Sequence, residues 1–378
     1  FVGARKESYS KDSRNPSIEM GSFMDDMLRR DFTINTLAIS LNTKTFGNLI
    51  DTFDGISDLE KGVITTPTEP DKTFIDDPLR MLRAVRFACQ LDFQIDKNTT
   101  KSIIKNSDRI NILSSERIAD EINKILMTKT PSNGFKNLEK LKILDYIIPE
   151  LIDLKGVEEV DGQTHKDNFY HTLEVVDNIS SRSDNLWLRW AALLHDIGKS
   201  PTKKFNKKIG WTFHGHEHVG SKMVKQIFTR LKLPLNDTMK YVQKIVMMSS
   251  RPIIIAEDIV TDSAVRRLIY DAGDSIDDLL TLCEADITTK NERKFEKYHN
   301  NFKIVREKIK IVEEKDNIRN FQPPVTGEII MKHFKIGPCK EIGIIKDEIK
   351  NAILDGEIKN NYKSAFNLMK IKGKSLGL

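Results

Sequence analysis

The chain has 378 residues, of which 39% are apolar and 30% charged, with only 19 glycines and 12 prolines. One core cannot serve that length, so several domains are expected, and the low Gly and Pro content excludes disordered or collagen-like chains. No stretch approaches the roughly 18 apolar residues of a spanning helix and nothing reads as a secretory signal, while Cys89, Cys283 and Cys339 are too dispersed for a zinc or disulfide framework, so the expected compartment is the cytoplasm. The net charge of +5 is uneven: from Asn291 onward 19 Lys and Arg face 12 acids, and the rest is slightly acidic. A basic last quarter suits a polyanion such as RNA, although a solvated lysine-rich helical face has the same composition.

Strand-like runs are confined to the start, at 1–6 (FVGARK), 46–53 (FGNLIDTF) and 62–66 (GVITT), with Asp31 to Ser40 reading as a helix between them. From Pro78 onward helical spacing takes over, carried by Leu79, Leu82, Val85, Ala88 and Leu91. Boundaries are expected near 66–70, 155–163 and 317–326. The opening FVGARK, without an initiating Met, is expected to be a strand cut from a larger sheet.

Two stretches carry chemistry in the first third. Asp31 in RRDFTINTLA can cap a helix, and arginines beside a helix N-terminus attract phosphate while Asn35 can bond a ribose hydroxyl. In DDPLRMLRAVR, Asp77 can cap, Pro78 can take the first helical position, and Asp76 or Asp77 can pair with Arg80. Asp77 and Arg80, three residues apart, also make an acceptor–donor pair. Cytosine and adenine each present an amine beside a ring acceptor, whereas uracil and guanine do not, so such a pair could accept C and A. Both stretches have a bland alternative, a capped helix with solvated charges.

Together RRDFTINTLA, LIDTFDGISDLEKGVI and DDPLRMLRAVRF resemble the class II tRNA nucleotidyltransferase and bacterial poly(A) polymerase family over about residues 1–150. The resemblance implies that Arg30, Asp31 and Asn35 meet ribose and triphosphate and that Asp76, Asp77 and Arg80 serve the base, with Arg83 as a further nucleotide-binding residue. It also implies two Mg²⁺ ions held by an Asp-x-Asp strand. No Asp-x-Asp occurs in this sequence, and Asp25, Asp26, Asp51 and Asp54 stand in the wrong context. The metal-binding pair is therefore expected upstream of Phe1, and this chain is expected to bind nucleotide without transferring it.

Six of the eight histidines fall between 165 and 218: His165, His171, His195, His214, His216 and His218. On a helix over 187–197, His195 shares an apolar stripe with Leu188, Ala191 and Ala192; on a helix over 276–288, Asp286 shares one with Leu279, Leu280 and Cys283. Polar groups aimed inward need a cation or donors. GQTHKDNFYHT, AALLHDIGK, FHGHEHVG and CEADIT resemble the HD metal-dependent phosphohydrolases over about 160–290, which implies His171, His195, Asp196 and Asp286 as ligands, with His214, His216 or His218 as a further ligand or acid. Imidazole with carboxylate suits Mn²⁺, Ni²⁺, Co²⁺, Fe or Zn²⁺. His195 and Asp196 would form the catalytic centre, with Lys199 on a phosphate.

Residues 322–358 resemble the C-terminal helical region of bacterial tRNA-processing enzymes in which these two modules are fused, with Gly327, Gly337 and Gly343 at loop or helix-end positions. The expected architecture is mainly α with a small N-terminal α+β remnant of a palm sheet (1–67), a helical neck (68–155), an all-α HD domain (156–295) and a basic helical end (296–378). Its partners would be the acceptor end of tRNA, CTP and ATP. A poly(A)-adding enzyme, a stand-alone HD phosphohydrolase with an RNA-binding head, and a non-enzymatic RNA binder are the competing readings.

Overall fold

The computed structural model describes the chain apart from residues 1–2, 11–12, 258–260, 317–318 and 320, and apart from the side chains of 8–16, 256–257 and 315–316. Helices dominate, in two compact units, Phe1–Met247 and Met248–Leu378. Among the described residues no helix is long and apolar enough to cross a membrane.

The first unit opens with an antiparallel hairpin, Arg5–Ser10 with Ser13–Met20. The run at 46–53 contributes only Leu49–Ile50, paired with Ala38–Ile39, and the run at 62–66 contributes Val63–Ile64, parallel to Gln94–Ile95. The helix expected over Asp31–Ser40 is instead a 3₁₀ turn, Thr33–Asn35, followed by strand. Local bonds compete with the helical ladder here. Asp31 Oδ1 accepts from Phe32 N and Asn35 Nδ2, and Thr33 N donates across to Thr65 O. Strand also recurs further on, in the short hairpins Glu159–Val160 with Gln163–Thr164 and Lys204–Asn206 with Gly210–Thr212. A two-residue strand among polar residues leaves no alternation for periodicity to detect.

The helix Leu79–Leu91 packs on Ser115–Leu126 and Pro131–Lys140, burying Met81, Leu82, Val85, Ile122, Ile125, Phe135 and Leu138 completely. Leu91, expected on the apolar stripe, ends the helix 44% exposed. Pro131–Lys140 packs in turn on Asn168–Ser180, where Asp177 Oδ1 accepts from Ser132 N at 2.9 Å. Asn168–Ser180 lies against Leu186–Leu194, whose Trp190 is fully buried and donates to Asn123 Oδ1 at 2.8 Å.

In the second unit Asp262–Ala272 packs on Glu292–Asp316 and on Lys340–Asp355, around Leu268, Ile269, Phe302, Val305 and Ile349. Asp355 accepts from Ser263 and from two nitrogens of Arg267. Gly327 begins a helix and Gly337 lies between helices, whereas Gly343 lies inside Lys340–Asp355, in its first turn, where its missing side chain meets open space.

Candidate nucleotide cleft and metal centre

A cleft of about 730 Å³ in the first unit gathers Arg5, Arg29, Arg30, Arg80, Arg83 and Arg117 against the acids Glu7, Asp31 and Asp77, with Asn35 and Phe87 in its wall. Six guanidinium groups against three carboxylates make it a basin for a polyanion. Asp31 is buried in its wall. Its Oδ1 takes Asn35 Nδ2 at 2.9 Å and its Oδ2 takes Arg83 Nε at 2.6 Å, so it ties the 3₁₀ turn to the helix Leu79–Leu91. Arg30 donates to Asn35 O at 2.9 Å and to Asp26 Oδ2 at 3.1 Å.

The expected base-facing residues separate. Asp77 lies just before its helix, with one oxygen accepting from Leu79 N at 3.1 Å; the first helical residue is Leu79, so Pro78 is the cap residue. Arg80 is buried and donates to Thr73 O and to Arg29 O. Both line the cleft, but the Arg80 guanidinium also staples Arg29 in place. Asp76 ends the helix Pro70–Asp76 and lines a neighbouring cavity of about 190 Å³ with Lys72 and Asp25. The extended backbone at Asp77 (φ −140°, ψ 100°) parts the two carboxylates. Burial pushes the Asp76 carboxyl up, against the pull of Arg80.

Sequence reasoning missed Arg5, Glu7, Phe87 and Arg117, and above all Asp26. Arg29 binds Asp26 Oδ1 through Nε at 2.8 Å and again through Nη2, so one buried carboxylate orients both arginines of the motif. The i+3 and i+4 spacing of Asp26 to Arg29 and Arg30 was the available signal. Asp25, Asp51 and Asp54 serve local structure: Asp25 forms a capping box with Ser22, Asp51 accepts from Gly55 N and Ile56 N, and Asp54 sits at φ 54° before a helix.

Burial raises the Asp26 carboxyl, but the hydrogen bonds from Arg29 and Arg30 outweigh it and hold the pKa below its ordinary value. A depressed folded value means that the stabilisation is present above about pH 4 and is lost as pH falls through the folded value. Asp26→Asn should therefore cost about 1–3 kcal/mol at pH 7, and the gap from the parent should close as pH drops below about 4. Urea unfolding at both pH values measures this; a gap that is constant with pH would refute it.

The second constellation lies where Asn168–Ser180 meets the end of Leu186–Leu194. His171 projects from the first helix, and His195 and Asp196 follow the second; all three are buried, and their ligand atoms lie within 4.8 Å of one another. Asp196 is the hub. Its Oδ2 is 3.6 Å from His171 Nε2, 3.5 Å from His195 Nε2 and 2.6 Å from Lys199 Nζ, and its Oδ1 is 3.6 Å from His216 Nε2. Ligands held about 2.1 Å from one tetrahedral ion stand about 3.4 Å apart, so these separations fit a shared cation. His195 Nδ1 donates to Ala192 O at 2.7 Å and His216 Nδ1 to Phe213 O at 3.0 Å, which fixes both rings with Nε2 turned toward Asp196. Lys166 Nζ lies 2.7 Å from His171 Nδ1.

Of the other candidate histidines, His165 is spent on the backbone, accepting from Glu158 N and donating to Lys166 O. His214 and His218 are exposed, so His216 is the one the fold brings to Asp196. Asp286 belongs to the second unit, just after Ile276–Ala285. Near it Cys283 is buried and donates to Ser249 O, and burial pushes its thiol pKa well up.

Residues 2–65 match the family described as the Poly A polymerase head domain, 92–154 that described as the probable RNA and SrmB-binding site of polymerase A, and 168–291 the HD domain. The A-adding tRNA nucleotidyltransferase of Deinococcus radiodurans is 33% identical over 270 residues, which is 69% of this chain and 59% of the relative. The Multifunctional CCA protein of Nitrosospira multiformis is 36% identical over 219 residues, 56% of this chain and 50% of the relative. The chain thus spans between half and three fifths of the length of these relatives. The CCA-adding enzyme of Bacillus stearothermophilus, solved in complex with CTP, superposes with a TM-score of 0.66 at 20% identity, over 98% of this chain and 79% of that one. The CCA-adding enzyme of Thermotoga maritima, complexed with tRNA, gives 0.53 at 21%, over 94% and 74%. At such identities the likeness establishes the fold. The chain thus carries in order a poly(A) polymerase head, the RNA-binding segment of that polymerase and an HD domain, and in sequence it is similar to A-adding and CCA-adding tRNA nucleotidyltransferases.

Proposed function

We propose that the protein matures or repairs tRNA 3′ ends, its head taking CTP and ATP and its HD centre removing phosphate or opening cyclic phosphate at damaged ends. The observation that carries the first half is the convergence of six arginines with Asp31 and Asn35 on one cleft. Arg29 and Arg30, oriented by Asp26, would hold the triphosphate, Asn35 the ribose, and Asp77 with Arg80 the base edge. Transfer itself needs carboxylates for Mg²⁺, and without an Asp-x-Asp strand in residues 1–378 the chain would bind nucleotide and not transfer it. Head 1–67, neck 68–155, HD domain 156–295 and a tRNA-gripping end at 296–378 are the proposed working parts.

At the HD centre, His171, His195 and Asp196 with His216 would hold a divalent transition metal. Such an ion, when bound, supplies Lewis acidity and acidifies water. Lys199, already 2.6 Å from Asp196, would place its ammonium on a phosphoryl oxygen.

Equilibrium binding of the four nucleoside triphosphates tests the head. CTP and ATP should bind about tenfold or more above UTP and GTP, and Asp77→Ala should level them, since one lost bidentate pair is worth about 1–3 kcal/mol. Equal binding of all four by the parent chain would end the base-reading proposal. Binding of ATP alone would favour an A-adding enzyme, the second reading, which the name of the Deinococcus relative supports.

A further inference from the structure

We infer that the lysine-rich hairpin beside the HD centre is a landing platform for the end of a single-stranded RNA, with the terminal phosphate at Lys199 and the last bases against Phe213 and Trp211. This rests on the phosphoesterase reading and adds to it a substrate class. The hairpin Lys204–Asn206 with Gly210–Thr212 pairs Phe205 with Trp211 across its strands, their rings 5.3 Å apart. His165 stands edge-on to Trp211 at 5.1 Å and to Phe213 at 6.1 Å. These rings are half-buried, as in a platform, and none is sealed in the core.

Two connections join the platform to the metal centre. Phe213 O accepts from His216 Nδ1, so the chain leaving the hairpin leads directly to an imidazole that faces Asp196. Lys199 Nζ lies 2.6 Å from Asp196 Oδ2 and 5.7 Å from the centre of the Phe213 ring, so one lysine spans from carboxylate to aromatic face.

Charge then selects the occupant. Residues 203–208 hold four lysines and no acid. Lys203 lies over Trp211 at 5.6 Å and pairs with Glu158, while Lys204, Lys207 and Lys208 are exposed. A ring cluster serving only to pack the hairpin explains the aromatic contacts but not this run of exposed cations. The enclosed space beside Lys199, Lys203 and Phe213 is only about 10 Å³, too small for a nucleotide. A ligand here would lie across an open basic and aromatic surface, which suits a strand end better than a free mononucleotide.

The test compares hydrolysis, by the full chain in Mn²⁺, of a 3′-phosphorylated RNA pentamer, 3′-CMP and glycerol 2-phosphate, which has no base. In Trp211→Ala the kcat/KM ratio of pentamer to glycerol 2-phosphate should fall about 5- to 100-fold, and Trp211→Phe should retain most of it. The double variant Lys207→Gln/Lys208→Gln, on the exposed tip, should lower the ratio of pentamer to 3′-CMP and flatten the salt dependence of KM. Ratios that do not move in either variant would overturn the platform. Hydrolysis of 3′-CMP as efficient as that of the pentamer, and indifferent to the lysines, would replace it with a mononucleotide site. If no phosphoester is cut with any divalent metal, the phosphoesterase reading fails. Quenching of fluorescence by the pentamer that Trp211→Ala removes would still support the platform, and its absence would reject it.

Discussion

Replacing Arg189 by Met should lower the stability of the first unit by about 3–5 kcal/mol, the scale at which removing one member of a buried charged network is felt. Arg189 is 2% exposed. Its Nη1 donates to Leu126 O at 2.7 Å and Thr128 O at 2.9 Å, its Nε to Ser183 O at 3.0 Å, and its Nη2 to Ser180 O at 3.2 Å and Asp184 Oδ1 at 3.3 Å. Leu126 and Ser180 are the last residues of the helices Ser115–Leu126 and Asn168–Ser180, whose final carbonyls have no partner of their own and carry the negative end of the dipole. One guanidinium thus satisfies the ends of two helices and joins the neck to the helices that carry His171 and His195. Burial lowers the Arg189 pKa and Asp184 opposes it, but a guanidinium stays charged at any ordinary pH.

Methionine would fill much of the volume and leave those carbonyls buried, at about 1–3 kcal/mol for each that finds no water, offset by no longer burying a charge. Arg189→Lys should recover little, since a single ammonium on a flexible stem cannot reach four separated carbonyls. Urea unfolding measures both. A loss under about 1 kcal/mol for Met would mean that water replaces the guanidinium at low cost.

Arg189 also shows where reading from sequence stops. Its acceptors are mostly backbone carbonyls, two of them more than 60 residues away, and no residue type announces a carbonyl. The HD centre was legible because a histidine on the apolar stripe of LWLRWAALLH contradicts its surroundings, and the structure buries it at 2% exposure. Choosing His216 over His214 and His218 was not possible, because the choice depends on how the turn after Phe213 enters the next helix. In the head, the residue types of the cleft were readable but their pairings were not. Asp31 was expected to cap a helix and instead binds Arg83, 52 residues on, while Asp76 and Asp77, adjacent in sequence, line different cavities. The helix after Pro78 was recovered from its spacing, whereas the short strands at Glu159–Val160 and Lys204–Asn206, which have no period to show, were not.

Asp196→Asn should lower the affinity for a divalent transition metal by more than about 100-fold, because loss of a direct ligand should exceed the 10- to 100-fold typical of outer-shell partners. The amide keeps the shape of the carboxylate and loses its charge. Three imidazole nitrogens stand within 3.6 Å of that carboxylate, so neutralising it removes the one anion they surround and leaves no negative charge to hold a cation among them. It also strands the Lys199 ammonium, which now has its carboxylate partner at 2.6 Å. Lys199→Met provides the contrast. It leaves every proposed ligand in place, so metal affinity should stay within about tenfold of the parent while KM for a phosphoester rises, since a charge-assisted bond to the substrate is lost. Titration calorimetry with Mn²⁺ and Zn²⁺ separates the two variants without reference to turnover. If Asp196→Asn binds metal as the parent does, the carboxylate serves only to anchor Lys199, and the buried imidazoles must be explained by hydrogen bonding alone. If Lys199→Met abolishes metal binding, the lysine is needed to assemble the centre, and its assignment to the phosphate is wrong.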